Sequence, residues 1–377
     1  MHLKQSRARS EAATWRQTIV ASKLAIVAVT AESSPEAWVV AAVGRSWPDS
    51  RLARIEALKG DASTRRFWRV SLEAVHRPAT AIAMDLGPDD LPLYARALKL
   101  VPEPLPEPPW LNIHRMLARI GAAVPEVYVA DVTARMLLVE DLGATPLFEA
   151  ARCGDAADLY RLAVDQLLIF HLDGAKDLND DCIAANIAYN GRLFRWELEQ
   201  FLEAGLSEIA PGAIRDGIAD ELDELAQRLD LFPRVFSHRD YHGHNLFVQR
   251  KGDGVPRLRV IDFQDALMAP AAQDLAVLLT TRDAARVISP TIERRILDYY
   301  YAALIRRQAP RLPFDEFHKS YRLCVLQHAL KMVGRFMILE SQGKPGYREF
   351  IPYLLQQAQR MLLPSEFPHL HAALGSQ

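Results

Sequence analysis

Three side chains in one stretch have the types and spacing to move a phosphoryl group. Asp240 and Asn245 are separated by four residues in Ser237-His-Arg-Asp-Tyr-His-Gly-His-Asn-Leu246, and Asp262 follows at the end of the apolar run 258–261. Phosphoryl transfer asks a protein mainly for positioning and charge neutralisation. One carboxylate must accept a hydrogen bond from the attacking hydroxyl and take its proton late, which suits Asp240 as the catalytic residue. Magnesium takes hard oxygen ligands and keeps several waters. Asn245 and Asp262 would supply it one amide oxygen and one carboxylate. H-x-D alone is common, but D-x-x-x-x-N followed by an apolar strand ending in Asp-Phe is a narrow pattern.

The same segment admits a second chemistry. His238, Asp240, His242 and His244 alternate, so on a strand they would share one face. Such a set could hold zinc or two metals for hydrolysis. That reading leaves Asn245 and Asp262 without a role and puts Gly243 in mid-strand, where glycine weakens pairing. In the phosphoryl-transfer reading, His242 and His244 are loop residues and His238 is a buried hydrogen-bonding support. Walker A, G-x-G-x-x-G, H-E-x-x-H and G-x-S-x-G motifs are all absent.

The elements that must position these residues fall into four segments by periodicity and punctuation. Residues 1–48 read as an extension ahead of the folded domain that need not be ordered. Residues 49–140 are strand-rich, with short apolar or alternating runs at 67–70, 80–86 and 136–139. Between these runs, the proline-rich stretch 101–109 can be neither helix nor central strand, and 111–120 reads as a helix stopped at Gly121. Residues 141–377 turn helical, with helices expected at 158–172, 191–204, 213–229, 272–281, 291–305 and 315–340. A strand-like island at 235–248 and 257–263 interrupts them. Strands followed by helices make an α+β fold, a small antiparallel-sheet lobe and a larger helical lobe, and a cleft between two lobes is a usual place for a ligand.

Two weaker signals belong to nucleotide binding. The run Leu137-Leu-Val-Glu-Asp-Leu-Gly143 is a strand entering a tight turn, whose backbone at Glu140 and Leu142 could pair with adenine. Gly60-Asp-Ala-Ser-Thr64 is a small polar turn that could close over phosphates, with Ser63 at its tip. Most such turns are only turns.

Bulk composition excludes several classes. The chain has 377 residues, half of them hydrophobic, enough for a substantial core. A net charge of −2 argues against a general nucleic-acid binder. Cys153, Cys182 and Cys324 form no zinc or redox spacing, as expected of a reduced, cytoplasmic protein. No apolar run reaches the roughly 18–20 residues of a membrane span. Basic residues before 24–29 mimic a signal peptide, but Lys23 and Glu11 interrupt that pattern. The expected partner is a small molecule rather than nucleic acid or membrane, and the expected state is a monomer.

The island resembles that of the aminoglycoside phosphotransferase superfamily, relatives of protein kinases that phosphorylate small molecules. Within it, the chain resembles the anomeric sugar kinases of bacterial cell-wall recycling, which act on N-acetylmuramate and N-acetylglucosamine at C1. The likeness runs from about Leu52 to Leu363 and includes residues 60–67, 124–127, 138–143, 262–266, Pro270, Asp274-Leu275, Gln327, Lys331, Gly334, Phe336 and 343–347. It implies a two-lobed protein-kinase-like fold hinged near Glu140, ATP and Mg2+ as cofactors, Asp240 as base, and Asn245 and Asp262 as metal ligands. It also implies that Asp274 braces the catalytic loop.

Two features depart from that pattern. The strand expected to carry a phosphate-binding lysine, residues 79–85, has none, and the helix 111–120 has no acidic partner for one. Arg65, Arg66 or Arg69 could supply the charge, with Arg66 the first choice. Gln327-His328 stands where the sugar kinases often have Gln-Arg, which leaves the sugar open. Arg322, His328, Lys331 and Arg335 recur at helical spacing and could line a site for the carboxylate of N-acetylmuramate, or form a solvated face. The alternatives are a kinase of aminoglycoside or choline type and an ATP-binding scaffold without activity, for which the absent lysine is the best argument.

Overall fold

A computed structural model describes residues 34–58, 65–73, 78–87, 93–100, 105, 107–179, 181–210, 214–250, 254–281 and 284–375. The chain divides into two compact units: residues 1–90 with 104–108 and 125–142, and residues 91–103, 109–124 and 143–377.

The first unit is a five-stranded antiparallel sheet in the order β1-β2-β3-β5-β4: β1 (Arg51–Leu58), β2 (Arg66–Glu73), β3 (Thr80–Asp85), β4 (Val127–Asp131) and β5 (Met136–Glu140). Alternation sends Trp68, Val70 and Leu72 to one face, joined by Ala81, Ala83 and Leu138. A helix covers that face. Helix α1 (Pro35–Ser46) begins at Ser34, whose hydroxyl accepts from Ala37 N–H, with proline in its first turn. It buries Trp38, Val39, Ala42 and Val43 against the sheet. Residues 35–46 are therefore part of the folded core, and the extension expected over 1–48 is shorter at its C-terminal end. The reason is physical: without α1 one sheet face would stand exposed.

The second unit is helical. Its helices of ten residues or more are α2 (Pro109–Arg119), α3 (Ala156–Leu168), α4 (Gly191–Gln200), α5 (Arg215–Asp230), α6 (Ala271–Thr280), α7 (Pro290–Arg306), α8 (Phe314–Ser341) and α9 (Ile351–Met361). Helix α8 is buried around much of its circumference, from Phe317 through Leu339, as befits the central helix of this unit. Two helices expected to run straight through are widened by π turns, Ile169–Gly174 after α3 and Phe201–Gly205 after α4. The island forms two two-stranded sheets: β6 (Arg234–Ser237) with β9 (Leu267–Pro270), and β7 (Leu246–Arg250) with β8 (Pro256–Val260). Residues 238–245 are not strand, so the alternating histidines do not share a face.

Candidate active site

The two small sheets aim two loops at one point. Loop 238–245 joins β6 to β7, and loop 261–266 joins β8 to β9. They are tied twice: Ile261 N–H donates to the Asn245 carbonyl, and the His238 Nε2 bonds the Ile261 carbonyl, both at 2.9 Å. Within the first loop the His242 N–H donates to the Asp240 carbonyl and the Asn245 N–H to the His242 carbonyl. The Asn245 Nδ2 also donates to the Asp240 carbonyl, at 2.9 Å. That bond turns the amide so that Oδ1, an oxygen suited to a hard cation, is the other end of the side chain. Phe263 anchors the second loop, fully buried against Trp110 of α2 with ring centroids 5.1 Å apart.

Both loops hold a non-glycine residue in the left-handed region, Arg239 at φ 77° and Asp262 at φ 62°. Such conformations cost on the order of 1–3 kcal/mol each and persist only where the surroundings enforce them. The enforcing group for Arg239 is Asp274 at the start of α6. Its fully buried carboxylate accepts from the backbone N–H of His238 at 2.9 Å and of Arg239 at 2.8 Å. It also meets the His171 Nε2 at 3.2 Å, while the His171 Nδ1 bonds the Tyr300 hydroxyl at 2.8 Å. For Asp262, Oδ1 accepts from the Gln264 Nε2 at 3.0 Å.

The Arg239 side chain leads to a cluster that periodicity does not reveal. Its guanidinium lies 3.8 Å from the ring centre of Tyr94, donates to Glu197 Oε1 at 2.8 Å and approaches Asp265 at 3.7 Å. Lys331 of α8 meets the same Glu197 oxygen at 3.0 Å. Tyr189 O–H and the Gln327 Nε2 donate to the other. Burial pushes the Glu197 carboxyl up, but Lys331 and Arg239 outweigh it and hold its pKa at about 2. Asp240 behaves alike: burial raises its pKa, the charges of Arg239 and Lys331 lower it further, and the net shift is downward. Asp240 is thus ionised at neutral pH. One signal for this cluster was present in the sequence. Glu197 stands on the apolar face of α4, between Leu193, Phe194 and Leu198, and an acid there needs partners.

A family model described as a phosphotransferase enzyme family (APH) matches residues 54–312. The chain belongs to this phosphotransferase family. An N-acetylmuramate/N-acetylglucosamine kinase of Caulobacter vibrioides is 31% identical over 333 residues, covering 80% of this chain and 85% of its own. A kinase of the same name from Pseudomonas aeruginosa is 27% identical, covering 82% and 84%. Among solved structures, a choline kinase from Cryptosporidium parvum aligns with TM-score 0.59 at 13% identity, over 90% of this chain and 99% of its own. The ADP-bound aminoglycoside phosphotransferase APH(2'')-Ib aligns at 0.51 and 12%, over 89% and 99%. At such identities these two speak for the fold alone, and that fold is kinase-like.

Within this family frame, the structure brings Asp240, Asn245, Asp262, His238 and Asp274 together in the second unit. Glu140 ends β5, with its Oε2 accepting from Glu126 N–H at 3.2 Å, and Leu142 is buried just beyond it. Ser63 and its turn lie outside the described residues. Arg66 is placed unfavourably for a phosphate. It shares the face that α1 covers, stands opposite Asp85 in the β2–β3 register, and is held by Asp85 at 2.6 Å. Arg69 points to the opposite face and pairs with Asp141 at 2.8 Å.

The basic lining expected along α8 does not form. Arg322 pairs with Glu366 at 2.6 Å and Lys331 with Glu197, and Arg335 is exposed. His328 is buried, and both of its ring nitrogens lack a hydrogen-bond partner among the described residues. Burial, with Lys331 nearby, lowers its pKa to about 3, so it carries no charge at neutral pH. The zinc arrangement fails for a related reason. The His238 ring faces the Ile261 carbonyl and His244 packs on Phe148 at 4.1 Å. No group of three or more His, Cys, Asp or Glu suited to a metal occurs among the described residues.

Proposed function

We propose that this phosphotransferase moves the γ-phosphoryl group of ATP to the anomeric hydroxyl of an N-acetylated amino sugar, N-acetylglucosamine or N-acetylmuramate, in bacterial cell-wall recycling. The observation that carries this reading is the double tie between the two loops, which gathers Asp240, Asn245 and Asp262, in a chain 31% identical to a kinase named for those sugars.

The geometry and the family support the following roles. Asp240 accepts a hydrogen bond from the acceptor hydroxyl and receives its proton as the new oxygen–phosphorus bond forms and the bond to the β-phosphate oxygen breaks. Asn245 and Asp262 would hold Mg2+, and their oxygen donors fit a hard cation. When bound, the ion neutralises phosphate charge. Arg239 and Asp274 act as positioning residues: one locks the loop by its side chain, the other by two backbone N–H groups. Glu140 and Leu142 are assigned to the nucleotide base, and Ser63 to the phosphates. With Arg322 and Lys331 already paired, α8 offers little to a sugar carboxylate, so N-acetylglucosamine should turn over at least as well as N-acetylmuramate.

The test is ATP consumption with magnesium across N-acetylglucosamine, N-acetylmuramate, glucose, choline and kanamycin, for the native protein and Asp240→Ala. Turnover of the N-acetyl sugars, reduced about 10²–10⁴-fold in the variant, is the expected result. ATP binding with no turnover of any acceptor would overturn it in favour of a scaffold. Preferential turnover of choline or kanamycin would move the assignment to those acceptor classes.

A further inference from the structure

A cavity of about 770 Å³ lies in the helical unit, on residues the proposed phosphotransfer chemistry does not use. It opens between the first π turn, the starts of β6 and α6, the C-terminal half of α7 and the connection 307–312 to α8. Its walls are apolar: Leu172, Val235, Leu304, Leu312 and Phe317. A volume of this size matches sites for small organic molecules, which run to roughly 300–1,000 Å³.

The charge lining it is mostly positive. Lys176, Arg234, Arg307 and Arg311 line the cavity, against a single acid, Asp173. Arg234 is paired with Asp230 and Lys176 with Asp173. Arg307 and Arg311 make no ion pair among the described residues, and both are exposed. An apolar chamber with two uncompensated guanidinium groups beside it favours an apolar body with an anionic head.

The polar lining leads to the catalytic loop. His171 and Tyr300 both line the cavity and are bonded to each other at 2.8 Å. His171 continues to Asp274, and Asp274 holds the N–H groups of His238 and Arg239 beside Asp240. We propose that this cavity binds a small amphipathic anion, and that its occupancy is felt by the catalytic loop through Tyr300, His171 and Asp274. The ligand class is an aliphatic or aromatic body bearing a carboxylate or an equivalent single anionic group. This goes beyond the proposed function and does not depend on the identity of the acceptor.

The first arm of the test is equilibrium binding of 1-anilinonaphthalene-8-sulfonate to the full chain, with dodecanoate and dodecanol as competitors. The expected result is one saturable site, with dodecanoate displacing the probe at least tenfold more effectively than dodecanol. Arg307→Glu/Arg311→Glu should weaken dodecanoate at least tenfold, and Ala309→Trp, which fills the cavity, should abolish the site. Absence of saturable binding, or equal binding in all three proteins, overturns the site. Equal competition by dodecanoate and dodecanol overturns the anionic assignment. The second arm is hydrogen exchange at the amides of His238 and Arg239, with and without saturating dodecanoate. A change of threefold or more in their exchange rates is expected, and an unchanged rate with the site occupied overturns the coupling. Neither arm requires turnover, so failure here and failure of the proposed kinase activity are distinguishable.

Discussion

At the scale of single residues, this protein sets its charge states by burial and by neighbouring ions. His242 and His328 are driven from the ordinary 6.5 to about 4 and about 3, burial being the larger cause in each. A folded-state pKa below the unfolded one means that the unfolded chain binds more protons in the window between them. Stability is therefore fully present above pH 6.5 and falls as pH drops from there toward 4. Glu197, at about 2 against an ordinary 4.5, adds a second loss below pH 4.5. Denaturant midpoints measured from pH 8 to pH 3.5 should show the first loss, and His328→Gln should flatten it. Glu197→Ala should destabilise the protein by about 3–5 kcal/mol, because it leaves Arg239 and Lys331 without their shared carboxylate. Chemical denaturation at pH 7.5 would check this, and Glu197→Gln should recover part of the loss through its remaining hydrogen bonds. The three residues proposed for phosphoryl transfer, Asp240, Asn245 and Asp262, could be picked out in the sequence because loop chemistry is written in residue type and short spacing. Of the cluster around Arg239 only Glu197 left a signal, an acid on an apolar helix face; its partners at positions 94, 189, 239 and 331 are joined by no local pattern.

At the scale of elements, periodicity located most of the longer helices, left α9 unread and missed what lies inside two of the others. Residues 158–172 and 191–204 carry apolar side chains near the helical period, yet each contains a π turn. A single wide turn shifts phase by one residue, too little to disturb a pattern read over four turns. The long helix α8 makes a sharper demand. Gly334 lies so close to the π turn after α4 that a Cβ there would sit inside the backbone of Gln200 and Phe201. Gly334→Ala should therefore cost about 3 kcal/mol or more, since backbone cannot yield as a side chain can. Thermal unfolding would measure it, and Gly44→Ala, at an open position on α1, is the control expected to be neutral or stabilising.

At the scale of the whole molecule, the order of strands before helices was enough to place the chain among α+β folds. It was not enough to find the N-terminal edge of the first unit. The start of α1 carries a clear signal, Ser34-Pro35-Glu36, with a capping residue, a proline in the first turn and an acid beside it. What hid it was the preceding basic and apolar residues, whose composition made 1–48 look uniform. Trp38 is the anchor of this edge, 1% exposed, its indole N–H donating to Asp131 at 3.1 Å. Trp38→Ala should destabilise the protein by about 3–5 kcal/mol. Trp38→Phe, which keeps the ring and removes the donor, should cost about 1–3 kcal/mol for an unpaired buried acceptor. Urea titration of both variants separates packing from hydrogen bonding.

The first π turn has a consequence for how this chain can change length. A π turn is an α-helix carrying one residue more than its hydrogen-bond ladder needs. Deleting that residue would heal the ladder, so local helix stability would not oppose the change. Yet the wide turn would narrow and re-aim the residues it carries, His171 and Gly174 among them. Gly174, which lies against the Phe236 ring, would leave the packing that lets β6 run beside this turn, and His171 would no longer be held toward Asp274. A shortened chain would gain a better helix and lose the support of loop 238–245, so single-residue gaps should be rare here among functioning descendants even though the backbone itself would welcome them.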